Sequence, residues 1–395
     1  MAIFKVKENV YEVGAIHWDR KIFDELIPLP HGTSYNAYLI IGSEKTALID
    51  TVDPETMEQL IANLKHLKVD KIDYVISSHA EQDHSGGIPE ILNLYPEAKV
   101  VTNAKCKSFL EDLLHIPEEK FIVVNEGDTI SLGDKTLEFI LTPWVHWPET
   151  MTTYLVEDKI AFTCDFFGSH LATTSMLIEE DPVVLEEAKR YYAEIMMPFR
   201  RQIAKNIAKL EQKEIDIIAP SHGPIYLKPE FIINAYKNWI DESQVTNTVI
   251  LPYVSMHGST KRMVCHFIDA LVKRGIHVKP FNLTKADLGQ LSIALVDAAT
   301  LVVGTPMVLA GAHPAAIYGV FLVNALKPKI KFATFIGSFG WGGRMLDQMK
   351  ALLTQIKPEI LEPVVVKGNP RAEDFKKLDE LADKILEKHK ELGLI

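Results

Sequence analysis

Cysteine is scarce in this sequence of 395 residues, which has only Cys106, Cys164 and Cys265. The three are far apart and no Cys-x-x-Cys pair occurs, which excludes a disulfide framework and a four-cysteine iron site. We expect all three to be small buried hydrophobic residues.

Long apolar runs are also missing. The longest candidate, 301–312, is short and is interrupted by Gly304 and Pro306, so no membrane-spanning helix is expected. Residues 1–13 alternate charged and apolar side chains, without the basic region and apolar stretch of a signal peptide. We therefore expect a soluble cytoplasmic protein with no membrane partner.

The sequence has no excess of positive charge. It contains 42 Lys and Arg residues and 53 Asp and Glu residues, which gives a net charge of −11. A nucleic-acid partner would require a clustered basic face. The balance therefore argues against nucleic-acid binding.

The length favours two domains, since single hydrophobic cores stop growing at about 250–300 residues. The polar stretch 241–247 is the predicted linker. We expect a first domain over residues 1–247 and a second over residues 248–395.

The two predicted domains differ in their pattern of elements. The first combines short strands with helical segments such as Pro54–Leu67 and a long helix Pro182–Lys213, which indicates stacked sheets flanked by helices. From Thr248 onwards, five strands alternate with helices. This alternation predicts a doubly wound parallel sheet.

The densest group of metal-binding side chains follows the predicted strand Asp73–Ser77. The segment His79-Ala80-Glu81-Gln82-Asp83-His84 places four possible ligands in one loop, where they can converge on a point. Later strands lead in the same way to His146, Asp165 and His222. Because loops at strand ends gather function, we expect these seven side chains to form one metal site.

The chemistry of the predicted ligands indicates the metal. The motif looks like that of the metallo-β-lactamase superfamily, except that Glu81 stands where the usual zinc motif has histidine. Four imidazoles and three carboxylates suit iron or manganese in an oxygen-reactive site, whereas zinc favours imidazole and thiolate. Asp165 is the expected bridge, because a carboxylate can span two metals about 3.5–4 Å apart. His170 is a candidate for the layer around the ligands, and Trp147 for a pocket wall.

The first strand of the second domain leads into Ser255-Met256-His257-Gly258-Ser259-Thr260, which runs directly into a helix. Hydroxyls and free N–H groups at a helix N-terminus form an anion site. The segment lacks the Gly-Lys-Ser/Thr ending of a triphosphate-binding loop. It favours a monophosphate such as that of FMN.

Two later loops strengthen the flavin prediction. Gly304-Thr305-Pro306-Met307-Val308-Leu309 follows the third strand, and Ser338-Phe339-Gly340-Trp341-Gly342-Gly343 follows the fourth. Their glycines allow the backbone to approach a flat ring, and Phe339 and Trp341 offer aromatic surface. All three loops lie on the edge of the sheet where such folds bind FMN.

Together the two halves resemble the flavodiiron proteins, or A-type flavoproteins, over essentially the whole chain, and within them the minimal two-domain class. The resemblance implies an N-terminal metallo-β-lactamase-like αββα sandwich and a C-terminal flavodoxin-like domain with a five-stranded parallel sheet. It implies FMN and two non-haem iron ions as cofactors. One iron would be held by His79, Glu81 and His146, the other by Asp83, His84 and His222, with Asp165 bridging. In some members of the family, water replaces the histidine at the position of His84.

The resemblance also implies an activity and partners. The family reduces O₂ to water, NO to N₂O, or both, with electrons from rubredoxin or a reduced deazaflavin. A head-to-tail homodimer, or a dimer of such dimers, pairs each flavin with the irons of its neighbour.

The alternative is a metal-dependent hydrolase of the β-lactamase type with a regulatory flavodoxin domain. Residue 81 distinguishes the two, because a hydrolase would normally have histidine there and an activated water on zinc.

Overall fold

The computed structural model describes residues 3–395, so the first two residues of the predicted N-terminal domain lie outside the described residues. The chain forms two compact units. The first comprises the chain up to Tyr192 together with Phe199–Ile240, and the second comprises Ala193–Pro198 and Asp241–Ile395. The domain limits at residues 247 and 248 stay a prediction. None of the described helices is both long enough and apolar enough to cross a bilayer.

The first unit is built from short strands. They are β1 (Phe4–Lys7), β2 (Val10–Glu12), β3 (Ala15–His17), β4 (Ile22–Phe23), β5 (Ile27–Pro28), β6 (Thr33–Tyr35), β7 (Tyr38–Ile41), β8 (Thr46–Ile49), β9 (Tyr74–Ile76), β10 (Lys99–Asn103), β11 (Phe121–Val124), β12 (Thr129–Ser131), β13 (Thr136–Leu141), β14 (Met151–Leu155), β15 (Ile160–Cys164), β16 (Leu177–Ile178), β17 (Ile217–Pro220) and β18 (Ile225–Tyr226).

Its helices are α1 (Met57–His66), α2 (Gln82–Ser85), α3 (Ile88–Leu94), α4 (Ala104–Leu114), α5 (Pro182–Tyr191), α6 (Arg200–Leu210) and α7 (Pro229–Ile240). Local sequence sets where they begin. Asn103 caps α4 by accepting from Lys105 N and Cys106 N, and Asp181 caps α5 in the same way, one residue before Pro182.

Two large sheets form the first unit. The strand orders are β1-β2-β7-β8-β9-β10-β11 and β12-β13-β14-β15-β17-β18-β16. Strands β8 to β11 run parallel, and so do β15 and β17. Carboxyl ends of parallel strands lie at one edge of a sheet, which is where the predicted ligands follow them.

Side chains alternate between two cores, as the period of a strand requires. On one face of the first sheet, Leu48, Val75 and Val100 pack with Leu60 of α1 and Leu110 of α4. On the other face, Ile49 and Ile76 pack against Phe139, Met151 and Phe162 of the second sheet. The layers confirm the predicted αββα sandwich.

The predicted long helix Pro182–Lys213 is wrong. After α5 the chain forms a π-helical turn, Tyr192–Met196, and a 3₁₀ turn, Met197–Phe199, before α6 begins. Pro198 has no N–H and its ring clashes with a preceding carbonyl, which prevents a continuous helix.

The second unit contains strands β19 (Thr246–Tyr253), β20 (His277–Asn282), β21 (Ala298–Val308), β22 (Gly311–Ala312), β23 (Phe332–Phe339), β24 (Glu359–Ile360) and β25 (Val364–Lys367). Its helices are α8 (Ser259–Val272), α9 (Leu288–Leu295), α10 (Pro314–Leu326), α11 (Met345–Leu352) and α12 (Ala372–Glu391).

The main strands of this unit pair in parallel in the order β20-β19-β21-β23, and β24 and β25 both pair with β23. One core packs α8 and α12 on the sheet, and another packs α9, α10 and α11. Helices therefore cover both faces, which confirms the doubly wound prediction. The order reverses beside β19, which creates the crevice where such folds bind ligands.

Candidate metal centre and flavin site

Four segments that follow strands carry the predicted metal ligands. His79 and Glu81 lie between β9 and α2, and α2 itself carries Asp83 and His84. His146 lies between β13 and β14. Asp165 directly follows β15, and His222 follows β17. The topology of the sandwich thus brings residues distant in sequence to one edge.

The first donor set comprises His79, Glu81 and His146. Glu81 Oε2 lies 3.1 Å from His79 Nε2 and 3.1 Å from His146 Nε2. Asp165 Oδ2 lies 3.5 Å from His79 Nε2 and 3.6 Å from His146 Nε2. The donor atoms surround one point.

The second donor set comprises Asp83, His84 and His222. Asp83 Oδ2 lies 3.2 Å from His222 Nε2 and 3.4 Å from His84 Nε2. Asp165 Oδ1 lies 3.0 Å from His84 Nε2 and 3.3 Å from His222 Nε2. The two oxygens of Asp165 therefore face different donor sets, as a bridging carboxylate requires.

The donors fit a pair of metal ions. Asp83 Oδ1, Asp83 Oδ2 and Asp165 Oδ2 are buried without a hydrogen-bond partner among the described residues. Buried carboxylates cost several kcal/mol unless they are paired or coordinate metal. Within each set the donor atoms lie within 4.8 Å of one another. Two cations would satisfy these oxygens.

Hydrogen bonds between the donor side chains shift their pKa values. Burial opposes the ionisation of Glu81, but the hydrogen bonds of His146 and His79 outweigh it and lower the pKa of Glu81. Burial also opposes the protonation of His222, yet its hydrogen bonds to Asp165 and Asp83 raise its pKa to about 10. Metal binding therefore has to displace protons from these imidazoles, so affinity should fall at low pH.

Glu149 supports the first set and was not predicted from the sequence. Its buried Oε1 lies 2.7 Å from His79 Nδ1 and accepts from Ala80 N at 3.1 Å. The Asn103 amide donates to the Glu149 carbonyl and fixes this segment. With Nδ1–H donating to Glu149, Nε2 of His79 is left free to bind metal.

Two further groups form hydrogen bonds to the side chains around the second set. The carbonyl of Ser34 lies 2.7 Å from His222 Nδ1. Burial and the charge of Asp165 raise the pKa of Tyr191 well above its usual range. Tyr191 therefore stays protonated and donates to Asp165 Oδ1 at 2.8 Å.

Aromatic side chains enclose the centre. The ring of Trp147 meets that of His79 edge-on at 4.9 Å, as expected of a pocket wall. His170 is buried with its ring centre 4.8 Å from that of His222, but its Nδ1 pairs with Thr33 Oγ1. Burial and His222 lower the pKa of His170, so it stays neutral. Phe23, from the β4–β5 hairpin, packs on His170 and His222.

The second unit brings the three predicted flavin loops to one cavity of about 150 Å³. Its lining residues are Ser255, Met256, His257, Ser259, Thr260, Pro306, Met307, Ser338, Phe339, Gly340 and Gly368. Gly368, which follows β25, was not predicted. No acidic side chain lines the cavity among the described residues, and helix α8 begins at Ser259. Hydroxyls and helix N–H groups fit the phosphate of FMN.

Several predicted flavin residues do not line this cavity. Val308 and Leu309 line a neighbouring apolar groove, and Gly258, Trp341, Gly342 and Gly343 lie outside both. Trp341 is 65% exposed. Gly343 has a packing role, because a Cβ there would lie 2.4 Å from Met307 Sδ and 2.6 Å from the Ala310 carbonyl.

The cysteine prediction holds for two of the three residues. Cys106 and Cys164 are buried and free, but Cys265 is exposed, because it lies on the outer face of α8. Cys164 lies beside the second set, with its Sγ within 4.8 Å of the donor atoms of His84 and Asp165. Cys106 and Cys265 belong to neither donor set.

The sandwich and its paired donor sets define a metal-dependent protein of the metallo-β-lactamase type, joined to a flavodoxin-like unit. A family model described as ODP family beta lactamase matches residues 33–223. The chain is 35% identical to the nitric oxide reductase of Moorella thermoacetica, over 96% of this chain and 97% of that one. It is 31% identical to the flavo-diiron protein FprA2 of Clostridium acetobutylicum, over 92% and 93% of the two chains.

Its structure matches that of rubredoxin oxygen:oxidoreductase from Desulfovibrio gigas with a TM-score of 0.95 and 29% identity, over 100% of both chains. The chain belongs to the flavodiiron family. It is an oxidoreductase whose cofactors are FMN and a non-haem diiron centre.

Proposed function

We propose that this chain reduces O₂ to water, NO to N₂O, or both, at a diiron centre that receives electrons through FMN. The observation that carries the proposal is the arrangement at Asp165, whose two oxygens face two complete donor sets. When bound, the iron pair and FMN supply the substrate coordination and the electrons.

The proposed ligands follow the two sets. His79, Glu81 and His146 would hold one iron, and Asp83, His84 and His222 would hold the other. Asp165 would bridge them. His84 is included because its Nε2 lies as close to Asp165 as any other imidazole does. Residues 255–260 would hold the FMN phosphate, and Pro306, Met307 and Phe339, which line the same cavity, are the candidates for the side that receives the ring.

The protein prepares this centre by fixing its donors and excluding water. Glu149 and Ser34 set the ring orientation of His79 and His222. The side chains of the second set are at most 4% exposed, whereas those of Glu81 and His146 are 12% and 15% exposed. Small substrates can therefore reach the centre from the side of Glu81 and His146.

The donor set argues against the hydrolase alternative. Glu81 contributes a hard, negatively charged oxygen where zinc hydrolases have imidazole, and the whole set has the mixed N/O character of oxygen-reactive iron sites.

Metal, flavin and turnover measurements test the proposal. The purified cytoplasmic protein should hold about two irons and one FMN per chain, and should consume O₂ or NO with a reduced rubredoxin or deazaflavin as donor. A protein with zinc as its main metal, and without oxidase or NO reductase activity after reconstitution with iron, would contradict the proposal.

We further propose that the active form is a head-to-tail homodimer, or a dimer of such dimers, in which each flavin serves the neighbouring chain's irons. This rests on the resemblance. Mixing a metal-deficient chain (His79→Ala, His146→Ala) with a flavin-deficient chain (Ser259→Asp, Thr260→Asp) should restore turnover once chains exchange. Turnover no higher than the sum of the separate variants, with heterodimers confirmed, would exclude the cross-chain route.

A further inference from the structure

The two donor sets are chemically matched. Each provides two imidazole nitrogens and one terminal carboxylate, and the two oxygens of Asp165 are divided between them. Any difference between the two metal ions must therefore come from the groups around the donors.

The first set is backed by a carboxyl side chain. Glu149 has a fully buried side chain and lies 2.7 Å from His79 Nδ1. A carboxylate behind a ligand imidazole increases the electron donation of its other nitrogen. An ion in the first set is thereby made more electron-rich, which favours its higher oxidation state.

Neither imidazole of the second set has a charged hydrogen-bond partner at Nδ1 among the described residues. His222 Nδ1 meets the Ser34 carbonyl, which also accepts from Thr33 Oγ1 at 3.2 Å and is shared between two donors. His84 Nδ1 is buried and has no hydrogen-bond partner among the residues the structure describes. Neither imidazole receives the support that Glu149 gives to His79.

Tyr191 adds to the difference. Its hydroxyl donates to Asp165 Oδ1, the oxygen that faces the second set. A hydrogen bond onto that oxygen withdraws electron density that would otherwise go to the ion. The oxygen facing the first set, Asp165 Oδ2, has no such donor among the described residues.

Burial acts in the same direction. The second set lies beneath Phe23, His170 and Tyr35, whose rings pack around His222, whereas the first set is partly exposed at His146 and Glu81. A low-dielectric surrounding disfavours the more highly charged ion. Asp50, a further buried carboxylate, hydrogen-bonds to Ser78 N, and its charge interacts more strongly with His84 than with His79. It therefore offsets part of the difference that Glu149 creates.

We propose that Glu149 and Tyr191 make the two metal positions unequal, so that the His79–Glu81–His146 position binds its metal more tightly and at lower reduction potential than the Asp83–His84–His222 position. Both are positioning residues, acting through His79 and Asp165. The inference rests on the proposed diiron function.

Single-site variants separate the two positions. His222→Ala leaves the first set intact, and His146→Ala leaves the second. Apo protein of each is titrated anaerobically with Fe²⁺ against a chromophoric chelator, and the reduction potential of the bound iron is then measured. We expect the His222→Ala chain to bind at least about 10-fold more tightly and to have the lower potential. If neither chain binds iron the proposed function fails, whereas equal affinities and potentials overturn only the inequality.

Glu149→Gln tests the cause. Glutamine keeps the size and the acceptor oxygen but removes the charge, so Fe²⁺ affinity should fall about 10-fold in the His222→Ala background and stay unchanged in the His146→Ala background. Glu12→Gln controls for the structural effect of replacing a buried glutamate, since Glu12 is buried in this unit and accepts a backbone N–H, from Gly14, at 2.7 Å. An equal loss in both backgrounds, or with the control, would overturn the role of Glu149.

Tyr191→Phe should act with the opposite sign on the other position. Losing the hydrogen bond to Asp165 Oδ1 should tighten Fe²⁺ binding about fivefold in the His146→Ala background and lower the potential there. Weaker Fe²⁺ binding in this variant would contradict the proposal. Tyr191→Phe also provides a second test if the Glu149→Gln variant does not fold.

Discussion

The metal unit and the flavin unit build their sites in different ways. The metal site uses buried side chains, and the rings of His79 and His222 are held by Glu149 and by Ser34. The flavin cavity uses hydroxyls, helix N–H groups and loop backbone, beside loops in which Leu309 is 86% exposed. Metal binding therefore depends on a few fixed charges, and flavin binding on many weak contacts. Single changes should be severe in the first unit and graded in the second.

Asp165→Asn should have the largest effect. The amide keeps the size of the side chain but cannot supply two anionic oxygens to two cations, so both positions weaken together. We expect iron to fall from about two to below one per chain and turnover to fall at least about 100-fold. Iron analysis and O₂ or NO consumption measure this, and FMN content serves as the control. Retention of both irons would refute the bridging role.

In the flavin unit, two charges are needed for a comparable loss. Ser259→Asp with Thr260→Asp places like charge against the phosphate at the start of α8, so FMN should be lost from the purified protein. Iron content should be unchanged. Ser259→Ala with Thr260→Ala is the matched control without charge, and it should keep part of the flavin. Loss of iron together with FMN would break the separation between the units.

Glu81→His tests the metal preference of the first unit. The substitution removes a negative charge and a hard donor, so the zinc-to-iron ratio should rise after expression with both metals and turnover should fall at least about 10-fold. FMN should remain bound. Wild-type iron content and turnover in this variant would show that residue 81 does not select the metal.

The side chains that the sequence predicts as metal ligands come together in the structure. The residues that support them were not predicted. The proposed ligands His79, Asp165 and His222 each follow a strand, so the local sequence pattern points to them. Glu149 was missed because its role depends on a contact with His79 across 70 positions of sequence, and the Ser34 carbonyl is a backbone group with no residue signature. For the flavin loops, the sequence named the segments but not which residues line the cavity, since Val308 lines a different groove and Trp341 is 65% exposed.

One buried group in each unit should make stability depend on pH, with opposite sign in the two units. Burial raises the pKa of Glu12 to about 8 from 4.5, so its contribution to stability is present below pH 4.5 and is lost as pH rises towards 8. Burial lowers the pKa of His389 to about 4 from 6.5, so its contribution is present above pH 6.5 and is lost as pH falls towards 4.

Calorimetry at several pH values can measure both effects. As the pH rises towards 8, the wild type should lose at most roughly 5 kcal/mol of unfolding free energy through Glu12, and the Glu12→Gln variant should not show this loss. As the pH falls towards 4, the wild type should lose at most roughly 3 kcal/mol through His389, and the His389→Gln variant should not show that loss. If the unfolding free energy of each variant depends on pH in the same way as that of the wild type, neither group titrates as its burial requires.

The smallest effect should come from Ser338→Ala in the flavin cavity. Ser338 Oγ lies 3.1 Å from the buried Thr260 Oγ1, and both line the cavity. The substitution removes one hydroxyl and leaves the rest of the loop intact, so about 1 kcal/mol of binding is lost. We expect the dissociation constant of FMN, measured by fluorescence titration of the apoprotein, to rise about fivefold, with iron content unchanged. Ser243→Ala, in an exposed turn of the same unit, is the control and should leave FMN binding as it is.

A loss of FMN affinity above about 100-fold would mean that the flavin site, like the metal site, depends on single groups, and the contrast between the two units would fail. An unchanged dissociation constant of FMN would show that the Ser338 hydroxyl does not take part in the site.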